Sequence, residues 1–230
     1  MKETKLIKKF VVIALFAIIA TTFGCGSSEV SDPLIKIKMD MKKSLSYSII
    51  LEDMKEEGTF SSKYFHKYRL IEETKGKTTG WLQVNKGTYQ KNVNYLGMSV
   101  FGKKDGKIIE GINPAGYQYV GDPKYGKWTN RGGSSFWQFY GQYAMMRTLF
   151  GGWYSPIGYR DYGSYNRYRQ SNRYSAYYGK NKRYGTHGKL ARKTKPNFFT
   201  RNKSSFRNKF SSRVGRSNSG FRGRSGGRGK

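Results

Sequence analysis

Alternation of apolar and polar residues predicts several strands between residues 35 and 120. Residues 35–39 read Ile-Lys-Ile-Lys-Met, which is the two-residue period of a half-buried strand. Further strands are predicted at residues 47–51, 64–71, 80–84 and 117–120. Residues 98–101 and 107–112 flank Asp105-Gly106, a dipeptide typical of type I′ hairpin turns, so we expect these two segments to pair.

One helix is predicted, over residues 135–150. Ser135 and Gln138 fit a capping box, aromatic residues then recur at helical spacing, and two glycines supply a stop. The aromatic face is expected to pack in the core, and a membrane-interface belt or a glycan platform is the alternative. The acidic residues 52–58 are expected to form a turn or one helical turn.

These elements predict an α+β fold with a small antiparallel sheet and one C-terminal aromatic helix, followed by a disordered basic tail. The folded domain is predicted at residues 33–153, a length that suits a modest core. The 230-residue chain has a net charge of +30, of which residues 160–230 contribute +20, with Asp161 as their one acid. Few aliphatic residues occur there, so burial cannot offset an ordering entropy of about 1–2 kcal/mol per residue. We therefore expect residues 154–230 to be disordered.

The start of the chain has the pattern of an export signal. Residues 1–9 contain four lysines, residues 10–23 are apolar and uncharged, and small residues follow. This order is that of a secretory signal, and the apolar run is shorter than the roughly 20 residues that cross a bilayer as a helix. We predict a signal peptide at residues 1–24 and a linker at 25–32.

The one cysteine of the chain, Cys25, makes this reading more specific. With Gly24 before it, the junction resembles the lipobox of bacterial lipoproteins, in which the signal is cut before the cysteine and the thiol is joined to diacylglycerol. The resemblance implies lipidation of Cys25 and a lipid-anchored protein outside the cytoplasm, at the cell membrane or the outer membrane. A cleaved secretory signal and an uncleaved N-terminal anchor are the alternatives. A lone cysteine also leaves no intramolecular disulfide.

We find no catalytic or metal-binding motif in the sequence. His66 lies in a predicted strand and His187 in the basic tail, where we expect packed or solvated side chains. The clustered acids between residues 52 and 57 are expected to be solvated in a polar turn. We therefore predict a protein that is not an enzyme and needs no metal or cofactor.

The arginines of the tail are the predicted binding residues. They are interleaved with tyrosines over residues 154–184, and residues 211–230 resemble the RGG segments of RNA-binding proteins. The predicted polyanion-binding residues are Arg160, Arg167, Arg169, Arg173, Arg183, Arg222, Arg224 and Arg228. Arginine makes bidentate phosphate contacts, and a second attachment by a lipid-tethered chain is effectively intramolecular.

We therefore expect a binding or structural role at the envelope, with anionic envelope polymers or lipid headgroups as partners of the tail. Single-stranded nucleic acid is the alternative partner, because cationic segments with stacking rings bind it well. Self-association through contacts between arginines and tyrosines is a further alternative.

Overall fold

The structure is a computed structural model that describes residues 30–58, 61–72 and 75–202. By its internal contacts the chain divides into Met1–Ser31 and Asp32–Lys230, and every element below belongs to the second unit. That unit is mixed α+β, with a small antiparallel sheet and a C-terminal helix, as predicted. Four predicted site residues lie outside the described residues: Cys25, Arg222, Arg224 and Arg228.

The main sheet is antiparallel and has seven strands within the described ranges. They are β1 (Tyr47–Glu57), β2 (Lys63–Glu72), β3 (Lys75–Thr78), β4 (Leu82–Val84), β5 (Met98–Lys104), β6 (Lys107–Ile109) and β7 (Asn113–Pro114). The central order is β3-β2-β1-β5-β6, while β4 pairs with β2 and β7 with β5. The hairpin at Asp105-Gly106 is confirmed, with φ values of 47° and 79° that suit a type I′ turn.

A separate two-stranded sheet and several short helices complete the fold. The second sheet consists of β8 (Gly126–Arg131) and β9 (Ser134–Phe139). The helices are α1 (Pro33–Asp40), α2 (Lys86–Asn92), α3 (Met146–Leu149), α4 (Tyr159–Ser171) and α5 (Lys189–Thr194), and residues 196–202 are also helical. Single 3-10 turns lie at Tyr117–Tyr119, Gly141–Tyr143, Gly151–Trp153 and Lys180–Lys182. The strand predicted at residues 117–120 is therefore wrong.

The strand predicted at residues 35–39 is also wrong, because these residues belong to α1. Asp32 caps this helix by accepting a hydrogen bond from the backbone N–H of Leu34 at 3.0 Å, and a proline follows it at the first helical position. Leu34 and Ile37 are buried, whereas Ile35 is exposed. The apolar residues of the apparent alternation therefore fall on both faces of the helix, since Met39 is exposed as well, and their two-residue period does not reflect burial.

The helix predicted over residues 135–150 begins instead as a strand. Residues 134–139 form β9, which pairs with β8 across a turn in which Gly132 and Gly133 both have positive φ. Within the predicted range the α-helix is confined to α3. The acidic turn predicted at residues 52–58 is likewise wrong, since β1 runs through to Glu57, with a bulge at Glu52, between Leu51 and Asp53.

Residues 154–202 are folded, contrary to the predicted disorder. Tyr165, Tyr177 and Tyr184 are buried there, and Arg169 donates hydrogen bonds to the carbonyl oxygens of Ser175 and Ile112 at 2.6 and 2.7 Å. The prediction failed because it weighed aliphatic content, whereas tyrosine rings supply the buried area here. Residues 203–230 lie outside the described residues.

Aromatic side chains dominate the core. One cluster of buried residues extends from Leu34 in α1 to Phe198 in the last described helix. Its largest fully buried side chains include Trp153, Tyr68 and Tyr119. The sheet and the C-terminal segment are therefore packed around a single core.

Candidate functional site

A cleft of about 1090 Å³ lies between the loop at residues 152–156 and the segment at residues 177–195. Two carboxylates, Glu52 and Asp161, line it together with five cationic side chains, which leaves a surplus of three positive charges. The five cations are Lys180, Arg183, Lys189, Lys193 and Lys195. We call this site the basic cleft.

Three of these cations are available to a ligand. Lys180, Lys189 and Lys193 are exposed, and none of them pairs with a carboxylate of the described ranges. In contrast, Lys195 pairs with Glu52 Oε1 at 2.7 Å, and Arg183 donates a hydrogen bond to the hydroxyl of Ser155. The unpaired lysines therefore set the charge that an incoming anion meets.

Tyrosine rings form the wall of the basic cleft. They are Tyr117, Tyr154, Tyr177 and Tyr184. The rings of Tyr117 and Tyr184 meet edge-on with centroids 5.7 Å apart, and their hydroxyl oxygens are 3.2 Å apart. Burial raises the pKa of both hydroxyls, so they stay protonated at neutral pH. Tyr117, Tyr177 and Tyr184 are buried and Tyr154 is half-buried, so the wall is a packed, uncharged aromatic surface of which Tyr154 is the most exposed part.

A buried ion cluster around Glu52 holds the floor of the basic cleft. Glu52 Oε2 accepts hydrogen bonds from Arg69 Nε at 2.8 Å and from Trp153 Nε1 at 2.9 Å, while Oε1 pairs with Lys195. Burial by itself would raise the pKa of Glu52, but the hydrogen bonds and charges of Arg69 and Lys195 outweigh burial and lower this pKa. Both oxygens are held by cations, so Glu52 fixes the site and is poorly placed to accept a proton.

A second buried carboxylate of β1, that of Asp53, binds the last described residues of the chain. Asp53 accepts a hydrogen bond from Arg201 at 2.8 Å, and Asp53 is buried. The expectation that the acidic cluster is solvated is therefore wrong for Glu52 and Asp53. It is confirmed for Glu57, which is exposed.

The close fit of α5 on the floor depends on a glycine. Thr194 Oγ1 donates a hydrogen bond to the carbonyl oxygen of Gly152 at 2.9 Å. A Cβ at position 152 would lie 2.5 Å from Thr194 Cγ2, which is closer than van der Waals contact allows. Only glycine lets α5 approach the loop this closely.

Of the five predicted arginines within the described ranges, Arg183 alone lines the basic cleft. Arg160 and Arg167 are exposed on α4, outside the cleft. Arg169 is committed to backbone carbonyls, and Arg173 pairs with Glu110. Sequence reasoning missed the three available lysines, because they share the basic composition of the whole segment.

The position of Asp161, the second carboxylate of the cleft, has a structural explanation. It lies in the first turn of α4, where a negative charge interacts favourably with the helix dipole. No cation among the described residues forms an ion pair with it. The carboxylate therefore lowers the positive potential at one side of the cleft.

The histidine in the sheet is packed, as predicted. His66 is fully buried in β2, and its Nδ1 lies 2.8 Å from the hydroxyl of Tyr68. Burial lowers the pKa of His66 to about 4, because it disfavours the charged imidazolium. The imidazole is therefore neutral and enclosed at physiological pH.

Neither a cluster of metal ligands nor a membrane-spanning helix occurs in the part of the chain that the structure describes. There, no three histidine, cysteine or acidic side chains come together as metal ligands. None of the described helices has the length and apolar character needed to cross a bilayer. The chain matches no protein-family model, no curated protein and no solved structure. The interpretation of the basic cleft therefore depends on its own chemistry.

Proposed function

We propose that this protein is a lipid-anchored, non-catalytic binding protein of the bacterial cell envelope, whose basic cleft binds a phosphate-bearing anionic polymer. The observation that carries this proposal is the position of Lys180, Lys189 and Lys193, which are exposed and unpaired beside a wall of tyrosine rings. Lysine binds phosphate as a mobile point charge, so three of them tolerate a ligand whose phosphates are irregularly placed.

The tyrosine wall complements the lysines. In the polymer that we propose, uncharged groups link the phosphates. These linking groups bind best to a surface that is neither charged nor fully apolar. The half-buried ring of Tyr154 meets that need, because a tyrosine combines contact area with hydrogen-bonding capacity. Exposed charges are screened by salt over about 8–10 Å, so binding is expected to weaken as ionic strength rises.

The proposed anchor supports the same partner. A lipid on Cys25 would hold the domain at an anionic surface, where binding to a polymer of that surface gains from a high effective concentration. Nucleic acid is less favoured, because an exported protein meets little of it. The lipid anchor and the polymer contact together make a two-point attachment.

The anchor is tested by expressing C25A beside S27A, a control substitution two residues away, in a bacterial host. We expect C25A to lose the mass of the lipid and to leave the membrane fraction or remain unprocessed, while S27A behaves as wild type. Intact mass and detergent partitioning are the measurements. A C25A protein with unchanged processing and fractionation would refute lipidation.

The lysines of the cleft are tested with the full chain and long-chain inorganic polyphosphate, a probe that supplies repeated phosphates without the uncharged linking groups. We expect K180Q/K189Q/K193Q to weaken binding by at least about tenfold, since three contacts near 0.5–1 kcal/mol each are lost. The control K75Q/K77Q/K107Q removes the same charge from exposed lysines outside the cleft. Equal losses in both variants would show diffuse attraction and refute the cleft. A preference for single-stranded DNA at matched charge would favour nucleic acid.

A further inference from the structure

Two smaller cavities adjoin the basic cleft. One has a volume of about 470 Å³ and lies against β9, and the other has a volume of about 390 Å³ and lies beside α3. Tyr154 and Pro156 line all three cavities. The three cavities therefore meet at these two residues, and we call the row of cavities the trough.

We infer that a linear polyanion lies along this whole trough, so that the ligand is a chain molecule that contacts both ends at once. This inference rests on the proposed function and specifies its ligand. The basic cleft forms one end of the trough. The other end is formed by the two smaller cavities, which we call the arginine end.

The arginine end carries its own unpaired cations. Arg131 at the tip of the β8–β9 hairpin and Arg147 on α3 both line it and are exposed. Neither forms an ion pair with a carboxylate that the structure describes. The trough thus has free positive charge at both ends, which is the arrangement that a chain of repeated negative charges fits best.

Aromatic rings connect the two ends. The ring of Tyr154, which lines all three cavities, packs against Phe139, with centroids 6.0 Å apart, and against Phe150 at 6.2 Å. The guanidinium of Arg147 lies 5.9 Å from the Tyr154 centroid. Because this ring is held by two neighbours, it forms a fixed ridge between the cationic ends.

The loop that carries the ridge is fastened on both sides. Trp153 donates its indole N–H to Glu52, and the backbone N–H of Trp137 donates to the carbonyl oxygen of Ile157 at 2.9 Å. Phe136 and Gly158 form a further bridge between β9 and the end of the loop. A preformed trough loses little conformational entropy on binding, which favours an extended ligand.

Two linked contacts predict a dependence on chain length. A short anion occupies one end and gains nothing from the other. A chain that reaches both ends makes its second contact intramolecularly, and its affinity rises without any new kind of interaction. A small-molecule site would show no such gain.

The test compares tripolyphosphate with long-chain inorganic polyphosphate, at equal phosphate concentration, on the full chain. We expect the wild type to bind the long chain at least about tenfold more tightly, and R131Q/R147Q to lose most of that gain while binding tripolyphosphate normally. R160Q/R167Q removes the same charge from exposed α4 positions outside the trough and serves as the control. Thermal unfolding confirms that each variant is folded, and R131Q alone tests the exposed hairpin tip.

The outcomes separate this inference from the proposed function. Equal affinity for both lengths, or a long-chain loss no greater in R131Q/R147Q than in R160Q/R167Q, overturns the trough while leaving the basic cleft intact. Absence of binding to either length overturns both. A loss of length dependence confined to R131Q/R147Q and R131Q supports the trough.

Discussion

Trp153 donates its indole N–H to Glu52 Oε2 at 2.9 Å, which joins two residues that are 101 positions apart in the chain. The same oxygen accepts a hydrogen bond from Arg69, so a strand, its neighbour and the loop under the cleft meet at one carboxylate. Glu52 is buried, so these bonds form away from solvent. The geometry of the basic cleft depends on this contact.

We expect E52Q to destabilise the protein by roughly 3 kcal/mol, because it leaves two cations without their buried counter-charge. E57Q is the matched control, since Glu57 is exposed and pairs only with Lys55 at the surface. Its effect should be at most about 0.5 kcal/mol. Urea unfolding measures both, and similar midpoints for the two variants would contradict the structural role of Glu52.

Stability should fall between pH 7 and about pH 5 through His66. Its pKa is about 4 in the fold against an ordinary value of 6.5, so the unfolded state binds more protons in this window. The stabilisation is complete above pH 6.5 and is lost as the pH falls toward 4, with a loss of roughly 2 kcal/mol by about pH 5.

The variant H66Q isolates this effect. It should flatten the change in unfolding free energy between pH 7 and about pH 5, because no imidazole is left to titrate in the core. H187Q, at an exposed position, should keep the wild-type slope. The titration of Glu52 does not interfere, since the pKa of that carboxyl is lowered and its contribution is lost only at more acidic pH. An unchanged slope in H66Q would show that other groups control the acid response.

We expect substitution of Gly97, which packs against the ring of Trp153, to destabilise the protein strongly. Its φ is 74°, and a Cβ there would lie 2.0 Å from a ring carbon of that tryptophan. G97A should therefore cost more than about 3 kcal/mol, from a backbone penalty of about 1–2 kcal/mol plus displacement of a buried ring.

Gly106 provides the control, because its φ is 79° and no atom lies within 4 Å of its added Cβ. G106A should show only the backbone penalty, about 1–2 kcal/mol. Denaturant midpoints of the two variants give the difference. If both lose the same stability, the contact with Trp153 is not the cause.

Residues 154–202 should be required for folding. A protein that ends at residue 153 lacks Lys195 and Arg201, which pair with Glu52 and Asp53, and lacks the buried tyrosines of the C-terminal segment. It is expected to lose near-ultraviolet circular dichroism and cooperative urea unfolding. A protein that ends at residue 202 retains these contacts and should unfold cooperatively. Cooperative unfolding of the shorter protein would place the domain boundary at 153 after all.

The sequence predicted β1 and β2, because residues 47–51 and 64–71 are rich in apolar and aromatic residues that favour strands independently of their tertiary contacts. It could not predict β9, since aromatic residues at positions 136, 139, 140 and 143 fit a helical period about as well as they fit part of a strand. Pairing with β8 decides between the two, and that pairing depends on a turn with two glycines.

The basic cleft is beyond sequence reasoning for a different reason. Composition marks the segment as cationic but does not say which cations are already bound within the fold. Arg169 is bound to carbonyl oxygens and Arg173 to Glu110, whereas Lys189 remains available. That division depends on contacts between residues far apart in the chain.

The ion pairs of β1 also constrain the order of folding. Glu52 and Asp53 emerge early in synthesis, but their partners Lys195 and Arg201 are made about 140 to 150 residues later. Until those residues appear, Glu52 keeps its ion pair with Arg69 but lacks the one with Lys195, Asp53 lacks the one with Arg201, and the sheet lacks its C-terminal cover. Closing so large a loop is slow, and stable structure must wait for it. A ribosome-bound chain that stops short of residue 195 should therefore stay sensitive to protease along its whole length.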